Sequence, residues 1–549
     1  MLGILFNMLP ITQTIAWKIG LVSVFTSSFA VLIAYFIIYE ILKNKTIAIF
    51  GALSIAFFYP FWLYSEVIEV LSLNTFFVLL LILLAVKFHK SKKIIFLYLL
   101  SFTAGLSLTN NQVIILMFPG VFIVLLSNWK IILKLSTITT CIFLFAVGLL
   151  PYLYIPLVSL MNPLVNRDLL NSANFINFVL RKTYGWGTGS SVPFNFNLLY
   201  VYFTSIIKEL GIAAVIASVM GIGYLGGKRQ FTILFMLLVC FILTGPFFFL
   251  YARTPLVGYF NLGVLERFII SSSVIVLLFL SFGIYFIAVL INKFLIVALK
   301  KINPLPNKRN YMMVILLIFF FYPLKLYSSH RLSTDFHNVW LGDNLAKDIL
   351  SPLPNNTILI LYSDIAEFNT RYIQLSEKMR EDIFVPTDYT IFKNYTDKQK
   401  IFYTNMKSLI KKNRVLEKDT ASLVLLILNS QKFKNPVFYL YPQKYDIEKY
   451  KEIRFIPYGL LFKLADDSDL ALSKEEYEKK QNELLKKTHA EDMIRYRDLI
   501  KTNYNFIYIS SIYSEAYLNT ANYLLYRYKD PEKAKIYMEK ANELNPTLQ

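Results

Sequence analysis

Acidic residues are scarce, and unevenly so. Residues 1–328 hold only 6 Asp/Glu against 23 Lys/Arg, whereas residues 329–549 hold 30 against 33. The chain as a whole is 17% charged, where a soluble protein carries about 25%. Cysteine is limited to Cys141 and Cys240. Two cysteines inside apolar runs exclude a disulfide framework and a thiolate zinc site, and they read as inert packing residues. There are four histidines, and no HExxH, paired-cysteine or Walker pattern occurs. His89 sits in a basic loop, and His330 and His337 flank the last apolar run with no carboxylate at ligand spacing. Residues 1–14 lack the basic start and small-residue cleavage site of a signal peptide.

What is abundant is apolar length. The sequence is 56% hydrophobic and 16% aromatic. Runs suited to membrane helices lie near 15–38, 46–62, 70–88, 94–109, 111–128, 136–156, 198–224, 231–252, 265–292 and 311–328. A crossing needs about 17–25 residues, so the fourth and fifth are marginal and fit either two crossings or one re-entrant pair. The expected fold is a polytopic α-helical membrane protein of about ten spans.

The net charge of +20 does not point to nucleic acid, because the excess is spread over short loops between apolar runs. Lys43 and Lys45, the cluster Lys87 to Lys93, Lys130 and Lys134, Lys228 and Arg229, and Lys293 to Arg309 all fall in alternate loops. The positive-inside rule places that set in the cytoplasm. The other set, near 61–69, 109–112, 157–196 and 253–266, then lies outside with the C-terminal region. Met1 is then expected outside as well. The 157–196 loop is longer than ordinary connections, and its 172–182 stretch has the spacing of a surface helix.

Three regions follow: a transmembrane domain over 1–328, an extracytoplasmic α/β domain over 329–470, and a helical segment over 471–549. In the α/β domain, 343–350 reads as a helix, and 357–363, 421–428 and 437–441 read as strands, with Asp364 and Glu367 in a loop. Residues 515–546 resemble one tetratricopeptide repeat, with Ala534, Ala541 and Pro546 in place and Asp530-Pro531 at the turn.

Charge inside lipid costs about 2.5–3.5 kcal/mol on insertion scales, which makes the few carboxylates informative. Glu40 has Lys43 beside it, and Glu209 follows Lys208. Glu66 and Glu69 end an apolar run with no base nearby in sequence. They read as interfacial carboxylates or as the lining of an outward cavity. Glu266-Arg267 reads as a local ion pair, or as an arginine for a lipid phosphate.

An ordered set of segments carries a family resemblance. FWLYSEVIEVLSLN at 61–74, GLSLTNNQV at 105–113, YLYIPLVSLMNPLVNRD at 152–168, FVLRKTYGWG at 178–187, LERF at 265–268 and LPNNTILILYSD at 353–364 are similar to the transmembrane protein 260 family. That family is of the GT-C type of polytopic glycosyltransferases. The resemblance implies a GT-C-like bundle that transfers a sugar, mannose, from a polyprenyl-phosphate donor to a protein hydroxyl outside the cytoplasm. Membrane lipid, the donor and an acceptor protein are the implied partners. It places the usual catalytic carboxylate in an acidic outer loop, which leaves Glu69, in the matched Glu-Val-x-x-Leu-Asn signature, as the candidate catalytic stand-in here. It assigns Asn74, Asn110, Arg181, Tyr184, Glu266 and Arg267 to substrate binding, with Gly185 in the same outer-loop motif. No metal or further cofactor is implied. The family's acidic outer loop would precede the point matched by Met1, and Asn111 stands where a histidine is common. A bacterial cell membrane fits the Lys-, Ile- and Asn-rich composition better than endoplasmic reticulum. Two other readings stay open: a non-catalytic pseudoenzyme or scaffold, and a lipid-linked sugar flippase, the latter disfavoured by the lack of a visible inverted repeat.

Overall fold

The computed structural model describes residues 2–161, 169–180, 195–256, 259–299, 309–361, 363–385, 436–442 and 454–545. The strand expected at 421–428 lies outside them. The chain forms two compact units, Met1–Leu157 with Ser172–Asp335, and Val158–Asn171 with Phe336–Gln549.

The first unit is helical. Among the described residues six helices are long and apolar enough to cross a membrane: Ile15–Leu42, Val70–Ser91, Leu135–Leu160, Phe231–Ala252, Asn261–Val297 and Tyr311–His330. Two bent pairs raise the number to eight, Lys45–Ala56 with Tyr59–Glu66 at 64°, and Asn197–Leu210 with Ile212–Gly227 at 102°. Pro60 in the first turn of Tyr59–Glu66 breaks the first pair. Gly211 breaks the second at φ +83°, a conformation that L side chains resist.

The helices Ile94–Leu108 and Gln112–Leu126 are shorter, and here the expected ten and the observed count part. Fifteen residues rise only about 22 Å. The two nevertheless run the length of Val70–Ser91. At one end Asn110 Nδ2 donates to the Val70 carbonyl at 3.0 Å. At the other Lys92 Nζ meets Asn128 Oδ1. A 3-10 stretch over Gln112–Met117 stretches the second arm, since it rises about 2 Å per residue.

The basic loops cap helices as well as carrying charge. Lys43 and Lys92 close their helices in the left-handed conformation, at φ 54° and 55°, where a cation also suits the negative end of the helix dipole. Asn44 then starts the next helix by accepting the Ile47 N–H at 3.1 Å. Glu40 pairs with Lys43 at 2.8 Å.

Small residues bring the helices close, since lipid offers no hydrophobic drive between them. Ala214, Ala217, Ser218 and Gly221 form one buried stripe on Ile212–Gly227. It faces Gly283 so tightly that a Cβ there would stand 1.7 Å from the Ala217 carbonyl oxygen. Cys240 is fully buried, and its Sγ donates weakly to the Met117 carbonyl at 3.6 Å.

The second unit holds a four-stranded sheet in the order β1-β2-β4-β3, built from β1 Ile358–Ile360, β2 Val437–Tyr439, β3 Phe455–Tyr458 and β4 Leu461–Leu464. β1 and β2 are parallel, with Ile358 opposite Val437, and β3 and β4 form a hairpin. Asp364 and Glu367 are not in a loop. Ser363 caps a helix over Asp364–Ser376 and places both in its first turn, where acidic side chains suit the positive helix end.

Helices cover the sheet. Gln481, on Lys474–Lys486, is buried; it accepts the Gly459 N–H at 2.9 Å and donates to Thr520 Oγ1 at 2.8 Å. Tyr504–Arg527 and Pro531–Leu544 form an antiparallel pair begun by Asp530, which accepts the Lys533 N–H at 3.0 Å. Ser510 and Ser514 lock the pair by donating to the Leu544 and Ala541 carbonyls at 2.6 and 2.8 Å.

Asp348 is the polar centre of this unit. It is 7% exposed. Its Oδ2 accepts the His489 backbone N–H and the Tyr513 hydroxyl, each at 2.7 Å, and Oδ1 lies 2.8 Å from His489 Nδ1. Burial pushes this carboxyl above the ordinary carboxylate range, and those donors hold the shift in check. A raised folded value means the folded state binds the proton more tightly, so this group's contribution falls as pH rises from the ordinary carboxylate range through the raised value. Asp348→Ala strands two buried donors and is expected to destabilise the unit by about 3 kcal/mol. Asp348→Asn keeps an acceptor, costs less and removes that pH slope. Hydrogen exchange over 341–350 and 489–513 between pH 4 and 7 measures both, and equal protection in wild type and alanine variant would contradict the assignment.

Candidate functional site

The site begins where the helix Val70–Ser91 starts. Glu69 is its N-cap, and its Oε2 accepts the Val70 N–H at 3.3 Å. The long helix Tyr259–Leu299 brings Arg267 alongside, and Arg267 Nη1 meets Glu69 Oε1 at 2.9 Å. One turn further along both helices, Asn74 Nδ2 donates to Ser271 Oγ at 3.2 Å. The pairs 69–267 and 74–271 advance together, so the helices run parallel here.

The ion pair is half-buried, with side chains 25% and 29% exposed. Arg267 makes one other hydrogen bond among the described residues, a long one from Nε to the Gly263 carbonyl at 3.4 Å. Glu266, its neighbour in sequence, has a different hydrogen-bond partner. It accepts the Tyr64 hydroxyl at 3.4 Å. The expected local Glu266–Arg267 pair is replaced by the tertiary Glu69–Arg267 one, because adjacent helical residues point about 100° apart and do not face each other.

Beside the ion pair lies a narrow cleft of only about 10 Å³, lined in part by Asn74, Asn111, Thr244, Phe248, Arg267 and Ser271. Asn74 is 5% exposed, and its Oδ1 has no hydrogen-bond donor among the described residues. Thr244 belongs to a π-helical turn, Leu243–Phe247, that contains Pro246. Such turns re-aim side chains within a helix.

The structure thus gathers Glu69, Asn74, Glu266 and Arg267. Asn110 stands near but holds the Val70 carbonyl rather than lining the cleft. Arg181, Tyr184 and Gly185 lie outside the described residues. Glu66 is exposed and accepts the Trp62 indole N–H at 2.8 Å. His330 is tied to the Phe57 carbonyl at 3.0 Å. Three site residues escaped the sequence reading, Tyr64, Thr244 and Ser271, and Asn111 was noted there without a site role. Ser271 was within reach of it, since it stands four residues after Arg267 on one helical face. Thr244 gave no signal beyond its nearby proline.

Chemically, the arrangement offers a guanidinium suited to phosphate oxygens, a carboxylate able to take a proton from a hydroxyl, and an orphan acceptor below them.

Comparison with known proteins bears on the same segment. Residues 1–133 match the family described as "Protein O-mannosyl-transferase TMEM260 N-terminal domain". The chain is 25% identical over 413 residues to "Protein O-mannosyl-transferase tmem260" of Dictyostelium discoideum, covering 68% of this chain and 49% of that protein. It is 23% identical over 385 residues to "Protein O-mannosyl-transferase TMEM260" of Mus musculus, covering 67% and 53%. It spans about half the length of these curated relatives. Among solved structures it is similar to ArnT from Cupriavidus metallidurans in the apo state, with TM-score 0.42 and 10% identity over 83% of this chain and 85% of that one. It is also similar to the oligosaccharyltransferase AglB from Archaeoglobus fulgidus, with TM-score 0.43 and 12% identity over 98% and 76%. Likenesses of that size support no inference. The family match covers the helices that supply Glu69, Asn74 and Asn110, so the part of the site on residues 1–133 lies in a segment that matches the TMEM260 N-terminal domain.

Proposed function

We propose that this protein is a membrane glycosyltransferase of the GT-C type that moves a hexose, mannose, from a polyprenyl-phosphate donor to a protein hydroxyl on the extracytoplasmic side. The observation that carries the reading is Arg267 beside Glu69 at a narrow cleft that Asn74, Asn111, Thr244 and Ser271 also line. The relatives named as protein O-mannosyl-transferases supply the reaction class. Arg267, with Arg181 from the outer loop, binds the phosphate and stabilises the charge that grows on it as the sugar leaves. Glu69 takes the proton of the acceptor hydroxyl. Asn74, Tyr184 and Glu266 contact substrate, and Asn110 fixes the helix that bears Glu69. Membranes containing the protein, given a polyprenyl-phosphate hexose and an acceptor polypeptide, are expected to yield hexosylated polypeptide. Absence of transfer with intact donor would count against the reading.

A non-catalytic scaffold is the rival. The observation favouring it is the ion pair itself, which leaves neither Arg267 nor Glu69 unpartnered.

The proposed orientation has its own test. Lys535 is 77% exposed and Lys43 is 59% exposed. In a Cys141→Ser background, Lys535→Cys is expected to react with an impermeant maleimide on intact cells. Lys43→Cys is expected to react only after permeabilisation. The reverse pattern would invert the topology.

A further inference from the structure

Arg267 cannot serve a phosphate freely while Glu69 holds it. We infer that Glu69 and the donor's phosphate compete for Arg267, so that donor binding releases the Glu69 carboxylate at the moment a proton acceptor is needed. The inference rests on the function proposed above and adds an order of events to it.

Three observations carry it. The Glu69–Arg267 contact is a single-point one, from Nη1 to Oε1 at 2.9 Å, not the two-point fork that guanidinium makes with its strongest partners. A phosphate oxygen pair can make that fork, so it outbids one carboxylate oxygen for the same cation. Second, Glu69 does not depend on Arg267 alone. Its Oε2 already accepts the Val70 N–H at 3.3 Å, and the N-terminus of a 22-residue helix stabilises an anion. A released carboxylate therefore keeps a hydrogen-bond donor and stays in place. Third, the pair is about one quarter exposed on each side, so its exchange needs no opening of the buried core.

Phosphate replaces carboxylate on Arg267 with no covalent change. The freed Glu69 then takes the proton of the acceptor hydroxyl as its oxygen bonds to the sugar carbon. The bond from that carbon to the phosphate oxygen breaks, and the electron pair leaves with the lipid phosphate, held by Arg267.

Binding to the purified full chain in detergent separates the possibilities, with farnesyl phosphate, farnesol and inorganic phosphate as probes. Glu69→Gln keeps the size and the helix cap but gives up the charge. It is expected to tighten farnesyl phosphate about three- to tenfold, as removal of a partly exposed ion pair allows, and to leave farnesol unchanged. In the transfer assay the same variant is expected to lower both donor KM and kcat, a split that a merely structural role would not give. Glu69→Asp retracts the carboxylate by one methylene and is expected to tighten farnesyl phosphate as well, which guards against a folding artefact in the first variant. Inorganic phosphate is expected to bind at least tenfold more weakly than farnesyl phosphate, and equal binding would overturn the lipid source of the anion. Unchanged or weaker farnesyl phosphate binding in both Glu69 variants, with Arg267→Gln still abolishing it, would overturn the exchange alone. Farnesyl phosphate binding that survives Arg267→Gln would instead remove the phosphate site of the proposed function.

Discussion

Arg267→Ala is expected to lower hexosyl transfer by about 10²-fold or more, while the protein still inserts and purifies as wild type does. The size follows from what the side chain would do. A leaving lipid phosphate gains charge as the sugar departs, and in a cleft partly closed to water a preorganised cation is worth far more than in bulk solvent. Arg267 is the cation that the described residues place on the cleft wall. Removing it also leaves Glu69 without its 2.9 Å partner, yet the carboxylate keeps its hydrogen bond to the Val70 N–H, so the fold should tolerate the change. Arg267→Lys keeps the charge and loses the planar fork, so it is expected to fall between wild type and alanine. Initial rates with radiolabelled donor measure this directly. Transfer at the wild-type rate in the alanine variant would remove Arg267 from the reaction.

The largest effect on folding is expected at Gly283. A valine there needs a Cβ where the Ala217 carbonyl oxygen stands at 1.7 Å, with the Gly221 nitrogen at 3.1 Å. Both are backbone atoms within helices, so neither can swing aside. The helices must part, and Ser218 then loses its 3.2 Å bond to the Val276 carbonyl. Overpacking of this kind costs about 3 kcal/mol or more. Gly283→Val is expected to elute as aggregate in detergent, or to melt many degrees below wild type. Gly223→Ala is the control, since a Cβ there meets nothing within 4 Å and alanine favours a helix by up to about 1 kcal/mol. If Gly283→Val matched that control in melting temperature, the close helix contact would be wrong.

Much of the first unit was legible because lipid imposes a simple rule. Every backbone polar group must be satisfied within its own helix, so long apolar runs declare themselves. The helix near 70–88 is found at Val70–Ser91, and the last near 311–328 at Tyr311–His330. The short arms around Asn110 were the hard case, since length in residues and reach in ångströms part company once a 3-10 stretch intervenes. In the second unit the apolar run 357–363 yielded a strand of only three residues. Ser363 ends it by capping a helix, a local hydrogen bond that outcompetes continued pairing.

By itself the sequence determined that this protein lives in a membrane, which loops carry its positive charge and which carboxylates are costly enough to need a reason. Those are properties of composition and spacing, and they act along the chain. Only the tertiary structure decided which charge answers which. Glu69 and Arg267 are 198 positions apart, and no local rule joins them. The neighbouring Glu266 looked like the natural partner of Arg267. A helix turns each successive side chain by about 100°, so one faces Tyr64 while the other faces Glu69, and that choice belongs to the packing of two helices.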